Sequence, residues 1–243
     1  MRQLRQVLGI AVPSSKWMVR QPLWLFQSLI TAVGFALIML SWGGVEALKN
    51  MAIAWLVAGA WGTGLNLIAQ SIGWEKIEYE YERLVASPVS LPVYFAGHVL
   101  GHVPWLLAVD IGPAILIAWV AGIPPLAVAA LLLLTPLALV LGAFTCLAIV
   151  LRIKNPTNIS AITNPLNTLT VVLPPVYYPL TALPEPLRLP LLAVPTVSLT
   201  ELARWVVGYR YTCFNPTMPA VMLAAWSVVA VPLALKRMKW GME

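Results

Sequence analysis

Residues 74–88 read Trp74-Glu75-Lys76-Ile77-Glu78-Tyr79-Glu80-Tyr81-Glu82-Arg83-Leu84-Val85-Ala86-Ser87-Pro88. Six of the chain's twenty-four charged residues fall between Glu75 and Arg83, and long uncharged apolar runs lie on both sides. The segment is too polar to sit in lipid and too patterned to be a slack loop. A membrane protein that keeps one such element between two spans uses it to touch something in the water phase.

The rest of the composition agrees. Of 243 residues, 60% are hydrophobic and 10% charged, with a mean hydropathy of +0.85. Soluble domains carry about 25% charge. The chain is therefore read as one integral membrane domain, residues 1–243, with no room for a sizeable soluble domain.

Gaps in charge count the spans. Residues 21–45, 50–74, 84–109, 111–151, 155–184 and 211–235 contain no Asp, Glu, Lys or Arg. A span needs roughly 20 apolar residues, and Gly122-Ile123-Pro124-Pro125 is the natural turn within the longest run. Six helices are expected, at about 22–42, 51–73, 91–121, 124–151, 157–178 and 216–236. The fold class is all-α.

Lys and Arg set the orientation. With the N-terminus inside, eleven fall in cytoplasmic segments: Arg2, Arg5, Lys16, Arg20, Lys76, Arg83, Arg152, Lys154, Lys236, Arg237 and Lys239. Four fall outside: Lys49, Arg188, Arg204 and Arg210. Both termini are thus expected in the cytoplasm, and the net charge of +6 reads as topology and contact with anionic lipid heads. No basic face is interleaved with exposed aromatics, so no nucleic-acid partner is expected. Trp24, Trp42, Trp74, Trp119, Tyr177, Tyr178 and Trp240 fall where an aromatic belt would. The first span is not read as a cleaved signal. Cys146 and Cys213 imply neither a disulfide framework nor a metal site.

Residues 1–21 read either as an amphipathic lead-in along the inner membrane surface or as a loosely ordered basic tail. At 100° per residue, Trp74, Ile77, Tyr81, Leu84 and Val85 fall in one apolar stripe, so the island reads as a helix. Glu75, Glu78 and Glu82 form an adjacent acidic ridge, and Pro88 is a stop signal. An interfacial helix lying on lipid is one reading. The ridge favours a basic or polar protein partner, because the inner leaflet is anionic and repels carboxylates.

The fifth span is the most polar, with Ser160, Thr163, Asn164, Asn167 and Thr168 on one face. In the second, Gly59, Thr63, Asn66 and Gln70 make a similar stripe. Each polar group needs a partner away from water. Both faces are read either as helix packing or as the lining of a route. Residues 174–207 are punctuated by seven prolines. They read as a short re-entrant hairpin on the outer side, with Thr196 to Val207 as its returning helix and Glu201 and Arg204 one turn apart.

The chemistry of nucleotides is missing: no G-x-x-x-x-G-K-[ST] loop occurs, nor H-E-x-x-H or G-x-S-x-G. His98 and His102 lie one turn apart on the third span without a third ligand on their face. Asp110, the only acidic residue within a span, should be paired, protonated or near water.

These stretches together resemble the permease subunit of an ABC-2 type ATP-binding-cassette exporter. The resemblance is carried by Arg20-Gln21-Pro22 before the first span, and by the island with Glu82-Arg83-Leu84-Val85-Ala86-Ser87-Pro88-Val89-Ser90 and Tyr94-Phe95-Ala96-Gly97. It is carried also by Tyr178-Pro179-Leu180-Thr181-Ala182-Leu183-Pro184-Glu185-Pro186-Leu187-Arg188, then Pro195-Thr196 and Glu201-Leu202-Ala203-Arg204. It implies a multi-pass permease in a prokaryotic plasma membrane, working as a dimer with a second copy or close relative. Two ATPase subunits would supply ATP and Mg, so this chain itself needs no cofactor, no metal and no catalytic residue. Residues 74–88 would be the coupling helix, with Ile77, Glu78, Tyr81, Glu82, Arg83 and Leu84 meeting the ATPase. Thr63, Asn66, Gln70, Asn164 and Asn167 would line the path of a hydrophobic or amphipathic substrate. Tyr178, Pro179, Leu183, Pro184, Glu201 and Arg204, within the segment 179–207, would form the outer gate. The alternative is an ion-coupled secondary transporter using Asp110 and the span-three histidines.

Overall fold

The computed structural model describes residues 2–20, 22–151, 153 and 155–236, with the backbone alone for residues 17–19. Arg152, Lys154, Arg237 and Lys239 of the charge count, and Trp240 of the belt, lie outside the described residues. Among the described residues the fold is all-helical, without strands. The helices are α1 (Arg2–Arg20), α2 (Pro22–Gly62), α3 (Ile68–Ile77), α4 (Glu80–Val85), α5 (Leu91–Trp105), α6 (Gly112–Val120), α7 (Pro125–Val150), α8 (Asn158–Asn167), α9 (Glu185–Leu192), α10 (Pro195–Val207) and α11 (Thr217–Lys236). Three π-helical turns, Thr63–Leu67, Leu106–Ile111 and Thr168–Val172, join α2 to α3, join α5 to α6, and extend α8.

Four of these helical stretches are long and apolar enough to cross a membrane: Pro22–Ile77, Leu91–Val120, Pro125–Val150 and Thr217–Lys236. Six were expected, and the difference has two sources. The first stretch runs 56 residues, about 84 Å if straight at 1.5 Å per residue. It is not straight. Gly44 has φ 62 and ψ −154, a region open essentially to glycine alone. Phe35 and Trp55 would stand about 30 Å apart on a straight helix, yet their ring centroids are 6.4 Å apart. The chain therefore folds back at Gly44, and the expected first and second helices are the two arms of a hairpin. The second source is the expected helix 157–178. Its helical part runs 158–172 and stops before Pro174 and Pro175, two adjacent residues that lack the N–H a helix needs and crowd the turn before them.

The core forms where α2, its π turn and α7 touch. Trp61, Leu65, Ile68, Ile72, Leu141, Cys146 and Leu147 are fully buried there. A Cβ on Gly64 would lie 2.2 Å from the Leu139 carbonyl oxygen, and one on Gly142 would lie 2.6 Å from that of Trp61. Small residues let the two backbones meet, the usual basis of helix association where lipid is the solvent. Away from this contact, Leu23, Val33, Leu37, Leu126 and Leu133 are exposed, as are Trp24, Trp42, Trp74 and Trp119, as a lipid-facing surface and its aromatic rim require.

The lead-in is an ordered helix. In α1, Ile10 and Ala11 are buried, with Ile10 seated over Gly97 and Ser14 over Gly101 of α5. The opposite face shows Leu4, Leu8 and Val12 to the surroundings. Pro13 lies inside α1 without ending it.

Candidate functional site

The island does not form one helix. Helix α3 ends at Ile77, Tyr79 takes a left-handed conformation (φ 60, ψ 13), and α4 starts again at Glu80. The stripe expected over Trp74, Ile77, Tyr81, Leu84 and Val85 is thereby split. Trp74 and Ile77 stay exposed, Leu84 and Val85 are half-buried, and Tyr81 is buried, edge-on to Tyr94 at 6.0 Å. The Lys76 ammonium sits 4.9 Å from the Tyr81 ring and donates to the Val150 carbonyl, at the end of α7, at 3.3 Å. Of the expected acidic ridge, Glu78 and Glu82 are exposed, together with Glu80 and Arg83.

Glu75 turns inward instead. Its carboxylate accepts from the Tyr94 hydroxyl at 2.5 Å and pairs with His98 Nε2 at 3.1 Å. The Nδ1 of His102 lies 2.7 Å from the His98 carbonyl oxygen. This cluster ties the end of α3 to α5 and was missed from sequence. The available signal was an acid and two imidazoles at matching depth on consecutive spans.

The two polar stripes meet. Asn66 Nδ2 donates to Asn164 Oδ1 at 2.9 Å, Gln70 Nε2 donates to Asn66 Oδ1 at 3.1 Å and to Asn164 Oδ1 at 3.2 Å, and Thr163 Oγ1 donates to Asn66 Oδ1 at 2.8 Å. Thr63 Oγ1 donates to Asp110 at 3.3 Å. Asn167 Oδ1 is buried without a partner among the described residues. Thr63, Asn66, Gln70, Asn167 and Asp110 border one cavity of about 1330 Å³. Asn164 supports its wall from behind by holding the two amides. All three π turns reach this cavity, through Thr63, Asn66 and Leu67, through Val109 and Asp110, and through Val171 and Val172. A π turn inserts one residue into a helix and re-aims the side chains around it, and such turns are frequent at functional sites. The cavity's opposite end is bordered by Glu78, Glu80, Arg83 and Leu84.

The expected gate residues also assemble. All five N–H groups of the Arg204 guanidinium are used. They donate to Asn50 Oδ1 (2.8 Å), Glu201 Oε1 (2.7 Å) and the carbonyls of Pro175 (3.2 Å), Val176 (2.8 Å) and Tyr178 (2.9 Å). Asn50, another residue missed from sequence, donates to the Tyr177 carbonyl at 2.7 Å. The signal was one amide at the edge of an apolar run. Glu201 Oε2 accepts from the Cys213 backbone N–H at 3.1 Å. The Tyr178 hydroxyl donates to the Leu173 carbonyl at 2.8 Å. Pro179 opens a 3₁₀ turn, Leu180–Ala182, and Pro184 leads into α9. Arg188 Nε donates to the Leu183 carbonyl at 2.9 Å.

An all-helical fold with four stretches long and apolar enough to cross a membrane is that of a multi-pass membrane protein. The chain belongs to the ABC-2 type transporter family, whose model matches residues 14–207. The matched family domain is a transport permease without its own nucleotide-binding domain, and the family typically works with an ATPase subunit. No match is found among curated proteins.

Proposed function

We propose that the chain is the permease subunit of an ATP-driven exporter that moves a hydrophobic or amphipathic compound out of the cytoplasm. ATP and Mg are handled by a separate ATPase. The observation that carries the reading is the placement of the charged island at one end of the cavity. Glu78, Glu80 and Arg83 are exposed and also border the same space as Thr63, Asn66 and Gln70. A partner that moves α4 deforms the cavity's end directly.

In this reading the protein crosses the plasma membrane of a prokaryote six times, counting the two arms around Gly44 and the short 158–172 helix. Both termini are cytoplasmic, and two permease copies or close relatives pair. The acidic ends of α3 and α4, with Ile77 and Leu84 beside them, dock into the ATPase. The segment 179–207 is the re-entrant outer gate, held shut by Arg204 and Glu201. The exposed face of α1 rests on lipid.

Because Tyr81 is buried, charge placed there tests folding more than docking. Glu78→Lys with Glu82→Lys tests docking, since exposed charges steer association. Purified from membranes with its ATPase, the double variant should lose copurification and transport by about tenfold or more. Full copurification with unchanged transport overturns the coupling assignment.

A further inference from the structure

We propose that Asp110 is the recognition group for the charged head of an amphipathic organic cation, making lipophilic cations the substrate class of this cavity. The proposal rests on the exporter reading and deepens it.

Asp110 lies on the π turn between α5 and α6, ten positions before the end of a 30-residue apolar stretch. It is 6% exposed and borders the cavity. Among the described residues it has no ion pair, and the one hydrogen bond to its carboxylate comes from Thr63 at 3.3 Å. A carboxylate at this depth is costly unless something of opposite charge answers it. The protein makes room for it: a Cβ on Gly59 would lie 2.2 Å from Asp110 Oδ1. Basic residues of the lining, Arg20 and Arg83, belong to α1 and α4, and among the described residues neither pairs with Asp110.

The surrounding walls are aromatic. Trp55 and Tyr177 border the cavity with Asp110. Trp55 Nε1 donates to the carbonyl of Val109 at 3.1 Å, which holds the indole beside the carboxylate. Phe35 backs both rings, 6.4 Å from Trp55 and 6.1 Å from Tyr177. A carboxylate with aromatic rings close by selects a cation with an apolar body, by charge pairing and by cation–π attraction. An anion of the same shape meets repulsion, and a neutral compound gains no charge pairing from Asp110. Glu78 and Glu80 at the opposite end favour entry of the same charge.

The test uses the full-length permease in nanodiscs and equilibrium dialysis with tetraphenylphosphonium and tetraphenylborate, ions of matching shape and opposite charge. Binding to protein-free discs is subtracted. Tetraphenylphosphonium should bind saturably, and tetraphenylborate about tenfold more weakly or worse. Asp110→Asn should weaken the phosphonium by about tenfold or more, and Asp110→Glu should restore part of it. Equal binding of the two ions, phosphonium binding unaffected by Asp110→Asn, or no saturable phosphonium binding each overturns the proposal. If Asp110→Asn does not fold, the contrast between the two ions on the unmodified protein decides. Efflux with the ATPase is read separately. Asp110-dependent phosphonium binding without ATP-driven efflux rejects the exporter reading and keeps the cation site. ATP-driven efflux of a neutral compound without discrimination between the ions does the reverse.

Discussion

Arg204 Nε donates to Asn50 Oδ1 at 2.8 Å across a sequence separation of 154 residues. That bond joins α10 to the second arm of α2, while three of the other four guanidinium donors hold the irregular 175–178 backbone. Non-helical backbone among membrane helices survives only when its polar groups find partners, and Arg204 supplies three of them. Arg204→Met should therefore destabilise the fold by about 3–5 kcal/mol, the cost of breaking a buried charge pair. Arg204→Lys should recover little, because an ammonium has three donors and no planar fork. Unfolding of purified protein in mixed detergent micelles checks this, and an unchanged midpoint for Arg204→Met would refute it.

Gly64 and Gly9 make a matched pair of opposite expectation. A Cβ at Gly64 meets backbone of α7 at 2.2 Å, whereas one at Gly9 meets nothing within 4 Å. Gly64→Ala should cost about 1–3 kcal/mol as the helices are forced apart. Gly9→Ala should be neutral or gain up to about 1 kcal/mol from helix propensity. Thermal midpoints of the two variants should move in different directions or by clearly different amounts.

Tyr79 carries a backbone cost that is removable. A left-handed conformation costs a non-glycine residue about 1–2 kcal/mol, and Tyr79 is exposed with φ 60. Tyr79→Asn should stabilise the joint between α3 and α4 by about 0.5–1 kcal/mol. Tyr79→Val should destabilise it, since a β-branched residue tolerates that region worst. Amide hydrogen exchange over residues 78–86 reports the joint directly, and slower exchange is expected in the Asn variant.

Tyr94→Phe removes the hydroxyl that donates to Glu75 at 2.5 Å. His98 Nε2, 3.1 Å away, then remains beside that carboxylate. A loss of about 1–3 kcal/mol is expected. Adding Glu75→Gln should cost much less on the Tyr94→Phe background than alone, because the two residues share one interaction. Additive losses in a double-mutant cycle would show that the pair is not coupled.

The period of 3.6 residues is enough to place Thr63, Asn66 and Gln70 on one helix face and Asn164 and Asn167 on another. Which faces meet is not written in any one helix. The Asn66–Asn164 bond spans 98 residues and depends on how the hairpin at Gly44 and the helices after it stack. The pair Glu201 and Arg204 is legible as one turn of helix, but its target carbonyls at 175–178 are not. The break at Tyr79 escapes a periodicity argument altogether, since one residue's φ leaves no trace in hydropathy. Tyr81 shows a related limit: an apolar stripe looks the same whether it awaits a partner or packs inward. Pro174 and Pro175 are visible terminators, and an expected helix running through them to 178 gives polar periodicity too much weight over backbone chemistry.

The three π turns around the cavity carry a consequence for how its walls can change. Each is, in effect, a single surplus residue in an α-helix. Removing one residue from Leu106–Ile111 lets that turn close into regular α geometry and re-aims side chains within it, while the flanking helices keep about the same faces. The ends of the helix would then stay in register with the membrane. A substitution edits one side chain of this chamber; a one-codon deletion re-aims several neighbours at once. Length variation at these three places thus reshapes the chamber without moving the ends of the helices that build it.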